Sequence, residues 1–173
     1  MRHLIAAALA ATLLLLQSCS HAPPPAQPGY LLPGASHSGH SPATIQVQLA
    51  GYLNQGGIVL QLSDTEIHVA RQHRWAEPLG VQLQRALQGP LDTLPDDATL
   101  TVRLSRFHGQ QQQDGDSAVI SGDWEYQQGE NRQQGEIQWQ TPLEQDGYAA
   151  LVKALDQGWQ HTAQNILQAL KET

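Results

Sequence analysis

Cys19 is the only thiol in a chain of 173 residues, and it closes the string Leu16-Gln17-Ser18-Cys19 at the end of an apolar run. Arg2 and His3 precede that run, which covers residues 4–16. A basic start, an apolar segment of this length and small residues at its end make a secretory signal peptide over residues 1–18. The run falls short of the ~20 residues a membrane-spanning helix needs. A second concentration of reactive side chains lies in residues 63–79, where Asp64, Glu66, His68, Arg71, His73, Arg74 and Glu77 surround Trp75. Carboxylates and imidazoles are metal ligands, and guanidiniums are forked donors for anions. Their spacing matches no HExxH-type helix, so no metal is expected. No Gly-x-Ser-x-Gly elbow and no glycine-rich phosphate loop occurs in the chain, and no catalytic residue is expected.

Leu at −3 and Ser at −1 relative to Cys19 resemble a bacterial lipobox. The resemblance implies cleavage before Cys19, which then carries a diacylglycerol and an N-acyl chain as the only non-protein groups. Acylation leaves no free thiol for a disulfide, a CxxC site or a nucleophile. Three acyl chains exceed the two that stable anchoring requires. In lipoprotein sorting an aspartate after the cysteine resembles an inner-membrane retention signal. Ser20 stands here, so the expected place is the periplasmic face of the outer membrane, lipid-anchored.

Composition narrows the partners. Nine Lys and Arg stand against 16 Asp and Glu, a formal net charge of −7, which becomes −8 once Arg2 is removed with the signal peptide. Such a chain has no electrostatic footprint for nucleic acid and no basic patch to hold anionic headgroups, so the lipid must do the anchoring. Charged residues make up 14 % of the chain, and 25 glutamines serve as polar filler instead. Residues 19–43 are rich in Pro, Ser, His, Ala and Gly, and read as the lipidated cysteine followed by a flexible tether. His21, His37 and His40 have no fixed geometry for a metal. Tyr30-Leu31-Leu32-Pro33 is the apolar island in this tether, suited to a short edge strand that Pro33 stops.

The folded domain is expected over residues 44–173. Ile45, Val47 and Leu49 alternate with Gln46 and Gln48, as in a half-buried strand. Residues 58–62 are continuously apolar but for Gln61, and residues 66–70 suggest a third strand. Trp75, Leu79, Leu83, Ala86 and Leu87 recur at helical spacing with Pro78 in the first turn and Gly89-Pro90 at the end. Leu100, Val102 and Leu104 alternate again. Residues 119–126 and 135–141 form a hairpin around Gly129, with Ile120, Trp124, Ile137 and Trp139 as cross-strand partners. A long amphipathic helix follows over residues 147–170, its stripe running Tyr148, Leu151, Val152, Leu155, Trp159, Ala163, Ile166, Leu167 and Leu170. The expectation is one α/β domain, a mixed sheet of about five to six strands packed by two main helices.

The stretch Glu66-Ile67-His68-Val69-Ala70-Arg71-Gln72-His73-Arg74-Trp75-Ala76-Glu77-Pro78-Leu79, with Tyr30-Leu31-Leu32-Pro33, Tyr52-Leu53 and Gly57-Ile58-Val59-Leu60, closely resembles the PqiC/YmbA family of ABC-type transport auxiliary lipoproteins. The resemblance spans nearly all of the mature chain. It implies a fold similar to the N-terminal domain of TolB, and an outer-membrane lipoprotein of an intermembrane lipid-transport system. The implied partner is a PqiB-type periplasmic protein with MCE domains, whose far end this subunit docks at the outer membrane in support of envelope integrity. A homo-oligomeric ring would match such a tube.

Two readings of the motif stand open. Arg71 and Arg74, beside Glu66 and Glu77, either organise the strand-to-helix corner as ion pairs or meet an acidic partner. Trp75 is either a core anchor opening a helix or a hot spot for that partner. The alternative function is a free-standing periplasmic lipid-binding chaperone, which needs a concave apolar cavity.

Overall fold

Alternating apolar and polar side chains build a sheet that two amphipathic helices cover on one face. The computed structural model describes residues 29–36 and 39–172, so the expectations for Cys19 and the signal peptide lie outside the described residues. Seven strands form the sheet: β1 (Gly29–Tyr30), β2 (Thr44–Leu49), β3 (Gly57–Gln61), β4 (Ile67–Trp75), β5 (Ala98–Gln110), β6 (Ser117–Gln128) and β7 (Asn131–Pro142). The helices are α1 (Leu79–Gln88) and α2 (Tyr148–Lys171). The order is β1-β4-β3-β5-β6-β7, with β2 also pairing β5. β1 on β4, β2 on β5 and β3 on β5 are parallel, and the remaining pairs are antiparallel. This is the expected mixed α/β sheet with two helices. The seventh strand is β1, a short edge strand like the one expected of the Tyr30 island, but it spans Gly29–Tyr30 and ends before Leu31.

β5 is the spine. Its residues 99–104 pair with β2, while Gly109 and Gln110 pair with β3. The register against β6 slips between Leu104 and Arg106, a bulge that marks where β5 exchanges one neighbour for the other. Beyond the bulge Phe107 still reaches the helices, but out of phase with Leu100, Val102 and Leu104. Hence the alternation legible in the sequence stops at Leu104 while the strand continues to Gln110.

α2 buries the expected stripe: Leu151, Val152, Leu155, Trp159, Ala163 and Ile166 are buried, and Tyr148, Leu167 and Leu170 pack against the core. Burying such side chains contributes ~1.5–3 kcal/mol each, as an upper estimate. Trp159 is at the centre, with its Nε1–H donating to the Leu83 carbonyl of α1 at 3.0 Å and its ring edge-on to Phe107 at 6.2 Å. Gly158 admits Trp139 of β7 against the helix, since a Cβ there would stand 2.5 Å from the indole.

Three expectations need correction. β4 does not end at Ala70 but runs through Trp75, so Trp75 closes a strand rather than opening a helix. The helix starts at Leu79, after Pro78, because the residue before a proline is pushed away from helical geometry. Trp75 shares helical spacing with Leu79 only because both face the same core. In the hairpin Ile120 and Trp139 are direct partners, whereas Trp124 lies opposite Gly135 and Ile137 opposite Gly122. Finally, Leu32, Ala35, Ser41 and Ala43 are buried, so described residues ahead of 44, from Gly29 on, already belong to the folded body. Composition misplaced that boundary because side chains of α1 and α2 supply the hydrogen bonds this segment lacks on its own.

Candidate functional site

The two most distinctive motifs of the sequence meet at one corner of the sheet. β1 lies parallel to the end of β4, with Gly29 opposite Arg74 and Tyr30 opposite Trp75, and Ala76 N–H donates to the Tyr30 carbonyl at 2.9 Å. The chain then turns into a 3-10 segment, Pro33–Ser36, laid along both helices. Gln82 of α1 is fully buried and joins the motifs: its Oε1 accepts the Leu32 N–H at 2.8 Å, and its Nε2 donates to the Glu77 carbonyl at 3.0 Å. Asp156 of α2 accepts the Gly34 N–H at 2.8 Å. Further along, Ser41 takes its partners from α1 and the following turn, its N–H donating to Gln88 and its hydroxyl to the Leu91 carbonyl.

An aromatic stack closes the outer side of this corner. The His73 ring lies on Tyr148 at 3.9 Å and 16°, and the Tyr30 hydroxyl is 3.0 Å from His73 Nδ1. Burial pushes the Tyr148 phenol above its ordinary value, with Tyr30 adding to the shift. β1 is thereby clasped between β4 and the first turn of α2.

The five residues singled out from the sequence fall into different roles. Trp75 is 8 % exposed and tilts against Phe107 at 6.4 Å, in contact with the core. Arg74 reaches back to donate to the Gln55 carbonyl at 3.0 Å, holding the 3-10 segment Gly51–Gln55. Glu77 pairs with Arg85 of α1 at 2.9 Å, both partly exposed. Arg71 is exposed and makes no ion pair among the described residues, and the same holds for Glu66. Among the described residues these five form no ion pair with one another. A nine-residue strand is ~30 Å long, and it carries Asp64 and Glu66 to the opposite end from Arg74.

Sequence reasoning missed Gln82 and Asp156 as parts of this corner, since isolated polar residues on amphipathic helices read as surface, and it did not bring Tyr148 of the helix stripe together with His73 of the motif. It also missed His108, which is 1 % exposed on β5. Its Nδ1 donates to the Gly109 carbonyl at 3.0 Å. Burial drives its pKa below the usual 6.5, the Gly109 contact opposes this, and Arg106 adds to the lowering. The folded protein therefore holds His108 neutral, while the unfolded chain takes up a proton below about pH 6.5. Stability is complete above that value and is lost as pH falls toward the lower folded-state pKa. In acid titrations of urea unfolding, His108→Asn is expected to flatten this decline between pH 7 and the acid range, and an unchanged slope would refute the assignment.

Among the described residues no three His, Cys, Asp or Glu side chains come together to hold a metal. No helix among them is long and apolar enough to cross a membrane. A concavity of about 750 Å³ is a polar basin lined in part by Arg103, Ser105, Arg106, Ser121, Asp123 and Glu136. A mixed groove of about 280 Å³ runs between β7 and α2, past Trp124, Glu136, Gln138, Trp139, Asn165 and Ile166. Both are open at the surface.

Residues 30–167 match the family model of the ABC-type transport auxiliary lipoprotein component. The chain is 34 % identical over 142 residues to the intermembrane transport lipoprotein PqiC of Escherichia coli K12, covering 73 % of this chain and 72 % of that one. The PqiC of Shigella flexneri matches to the same extent. Among solved structures, an uncharacterized protein superposes with a TM-score of 0.71 at 30 % identity, over 82 % of this chain and 97 % of its own. A protein from Xanthomonas campestris shares the fold with a TM-score of 0.60 at 16 % identity, over 87 % and 94 % of the two chains.

Proposed function

The chain belongs to the ABC-type transport auxiliary lipoprotein family, and from that membership we propose that it docks a periplasm-spanning transport component at the outer membrane. It is a lipoprotein of the cell envelope in intermembrane transport. The finer reading gives it an acylated Cys19, a place on the periplasmic face of the outer membrane, and a PqiB-type partner carrying MCE domains. It takes no part in catalysis, and a ring of copies would match the symmetry of a tubular partner.

The observation that carries this reading is the corner itself. The family match starts at Tyr30, where the N-terminal segment is stitched into the core through Gln82 and Asp156. The open, shallow concavities favour docking over carriage of a lipid inside the described fold.

Affinity purification of the acylated protein from gently solubilised envelopes tests this. An MCE-domain protein is expected to co-purify without stoichiometric phospholipid, and Cys19→Ser is expected to move the protein from the membrane to the soluble fraction. Bound phospholipid without a partner would replace docking by the chaperone reading. Continued membrane association of Cys19→Ser would refute the lipid anchor.

A further inference from the structure

At one end of the sheet β7 pairs with β6 alone. Its 12 residues keep a single register against β6, without a bulge, and proline occurs only as the last of them. The phase of this ladder is fixed where Leu143 N–H donates to the Asp116 carbonyl at 2.8 Å. Odd-numbered residues therefore bond to β6, and Arg132, Gln134, Glu136, Gln138 and Gln140 turn their backbone N–H and C=O groups away from it. The side chains of these residues are exposed, and among the described residues no strand lies on their outer side. A row of unpaired backbone groups accepts another extended chain, and sheets blunt such edges with bulges, prolines, short strands or charge. On β7 the protection is charge alone.

That charge is complementary to itself. Arg132 and Glu136 are the charged residues of β7, both outward-facing, with Gln134 midway between them. Glu136 accepts the Gln138 amide at 3.2 Å and has no cation at ion-pair distance among the described residues. Arg132 reaches Glu125 at 3.4 Å with its side chain 63 % exposed, and its forked donors leave room for a second carboxylate. When a second β7 lies antiparallel along the edge, the backbone phase sets outward-facing residues opposite one another. A two-fold axis at Gln134 then places Arg132 opposite the partner's Glu136, and Glu136 opposite the partner's Arg132. An axis at Arg132 or at Glu136 would set like charges face to face. An axis midway between Gln134 and Glu136 would set each charge against a glutamine. Unlike charges directly across a strand pair stabilise it and like charges destabilise it, so the two-fold at Gln134 is the one the charges favour.

We propose that two copies of this chain join edge to edge through β7, antiparallel about a two-fold axis at Gln134. Gln134 and the partner's Gln134 exchange both backbone hydrogen bonds, as do Arg132 and the partner's Glu136. The two sheets become one, with the helices of both copies on the same face. Such a contact is isologous and closes on two copies, so it is distinct from the head-to-tail contact a ring would use. It leaves uncovered the β1–β4 corner, which lies at the other end of the sheet.

The test uses the full acylated chain in isolated envelopes, where a blocked Cys19 makes an introduced cysteine the only free thiol. Gln134→Cys is oxidised with copper phenanthroline and run on a non-reducing gel. Directly opposed, hydrogen-bonded residues have Cα atoms ~5.5 Å apart, within reach of a disulfide. Most of the protein is expected to run as a dimer of twice the mass. Gln138→Cys, exposed on the same edge, is the control, since this register holds it about 27 Å from its own copy. It is expected to stay monomeric. Arg132→Glu added to Gln134→Cys is expected to cut the cross-linked fraction several-fold, and Glu136→Arg added to both is expected to restore it. A monomer at position 134 overturns the proposal, and so does equal cross-linking at 134 and 138, which is collision between exposed thiols. An adduct of any other mass means that a different chain occupies the edge, and it overturns the proposal too. Failure of Glu136→Arg to restore the dimer overturns the two-fold at Gln134. The unsubstituted chain is expected to stay monomeric. Its dimerisation through a free Cys19 would refute the anchor alone, and the same comparison in a Cys19→Ser background then decides the edge.

Discussion

Trp159→Ala is expected to cost ~3–5 kcal/mol of folding stability, the range for removing a fully buried aromatic side chain. Domains of this kind are stable by ~5–15 kcal/mol in total, so the loss is about a fifth of the margin or more. The indole touches three elements at once: Phe107 on β5, Leu83 on α1 through its N–H, and its own helix α2. The cavity left behind lies where both helices meet the sheet, and none of the three can move in without leaving its own hydrogen bonds. Trp159→Phe keeps a ring in the site and loses the bond to Leu83, a cost of ~1 kcal/mol for the hydrogen bond itself, with some cavity added. Urea unfolding of the two variants separates ring volume from polar contact. A loss below ~1 kcal/mol in Trp159→Ala would mean that the helices are not held through this residue.

Gln82→Leu is the second large effect, and it acts on the corner. The substitution nearly preserves volume, but it leaves the Leu32 N–H and the Glu77 carbonyl without their partner, at ~1–3 kcal/mol for each buried group left unpaired. The damage is expected to be local. Hydrogen exchange at the Leu32 amide should accelerate strongly, and proteases should cut within residues 29–43, while β5, β6 and β7 keep their protection. Global melting that falls with uniform exchange throughout the domain would refute a local role.

Much of the fold was legible in the sequence because the periods were clean. β2, the β6–β7 hairpin and α2 carry period-two or helical patterns with little interruption, and turn residues such as Gly129, with φ 56, mark their ends. The motif spanning Glu66 and Leu79 was legible as a motif but misread as structure. Its apolar residues fit a helix from Trp75 as well as a strand up to Trp75, and only the restriction imposed by Pro78 and the pairing with β1 and β3 decides between them. The second half of β5 escaped for a related reason, since a bulge reverses the phase of alternation within one strand.

The corner was the least legible part. Arg71, Arg74, Glu66, Glu77 and Trp75 were close in sequence and were expected to act together. An extended strand separates what a helix would have gathered: Glu77 turns to Arg85, Arg74 to the Gln55 carbonyl, and Trp75 to the core. The polar contacts that do hold the corner join residues 50 and 122 positions apart, Leu32 with Gln82 and Gly34 with Asp156. No local pattern announces such pairs.

The sequence by itself determined the class of the fold, its two helices and the family to which it belongs, because periodicity and short motifs are properties of neighbours along the chain. Tertiary structure alone decided that residues ahead of 44 pack into the folded body, that Gln82 and Asp156 hold them there, and that Glu77 pairs with Arg85. Those depend on which distant residues satisfy a buried amide or a charge, and that choice exists only once the strands have found their order.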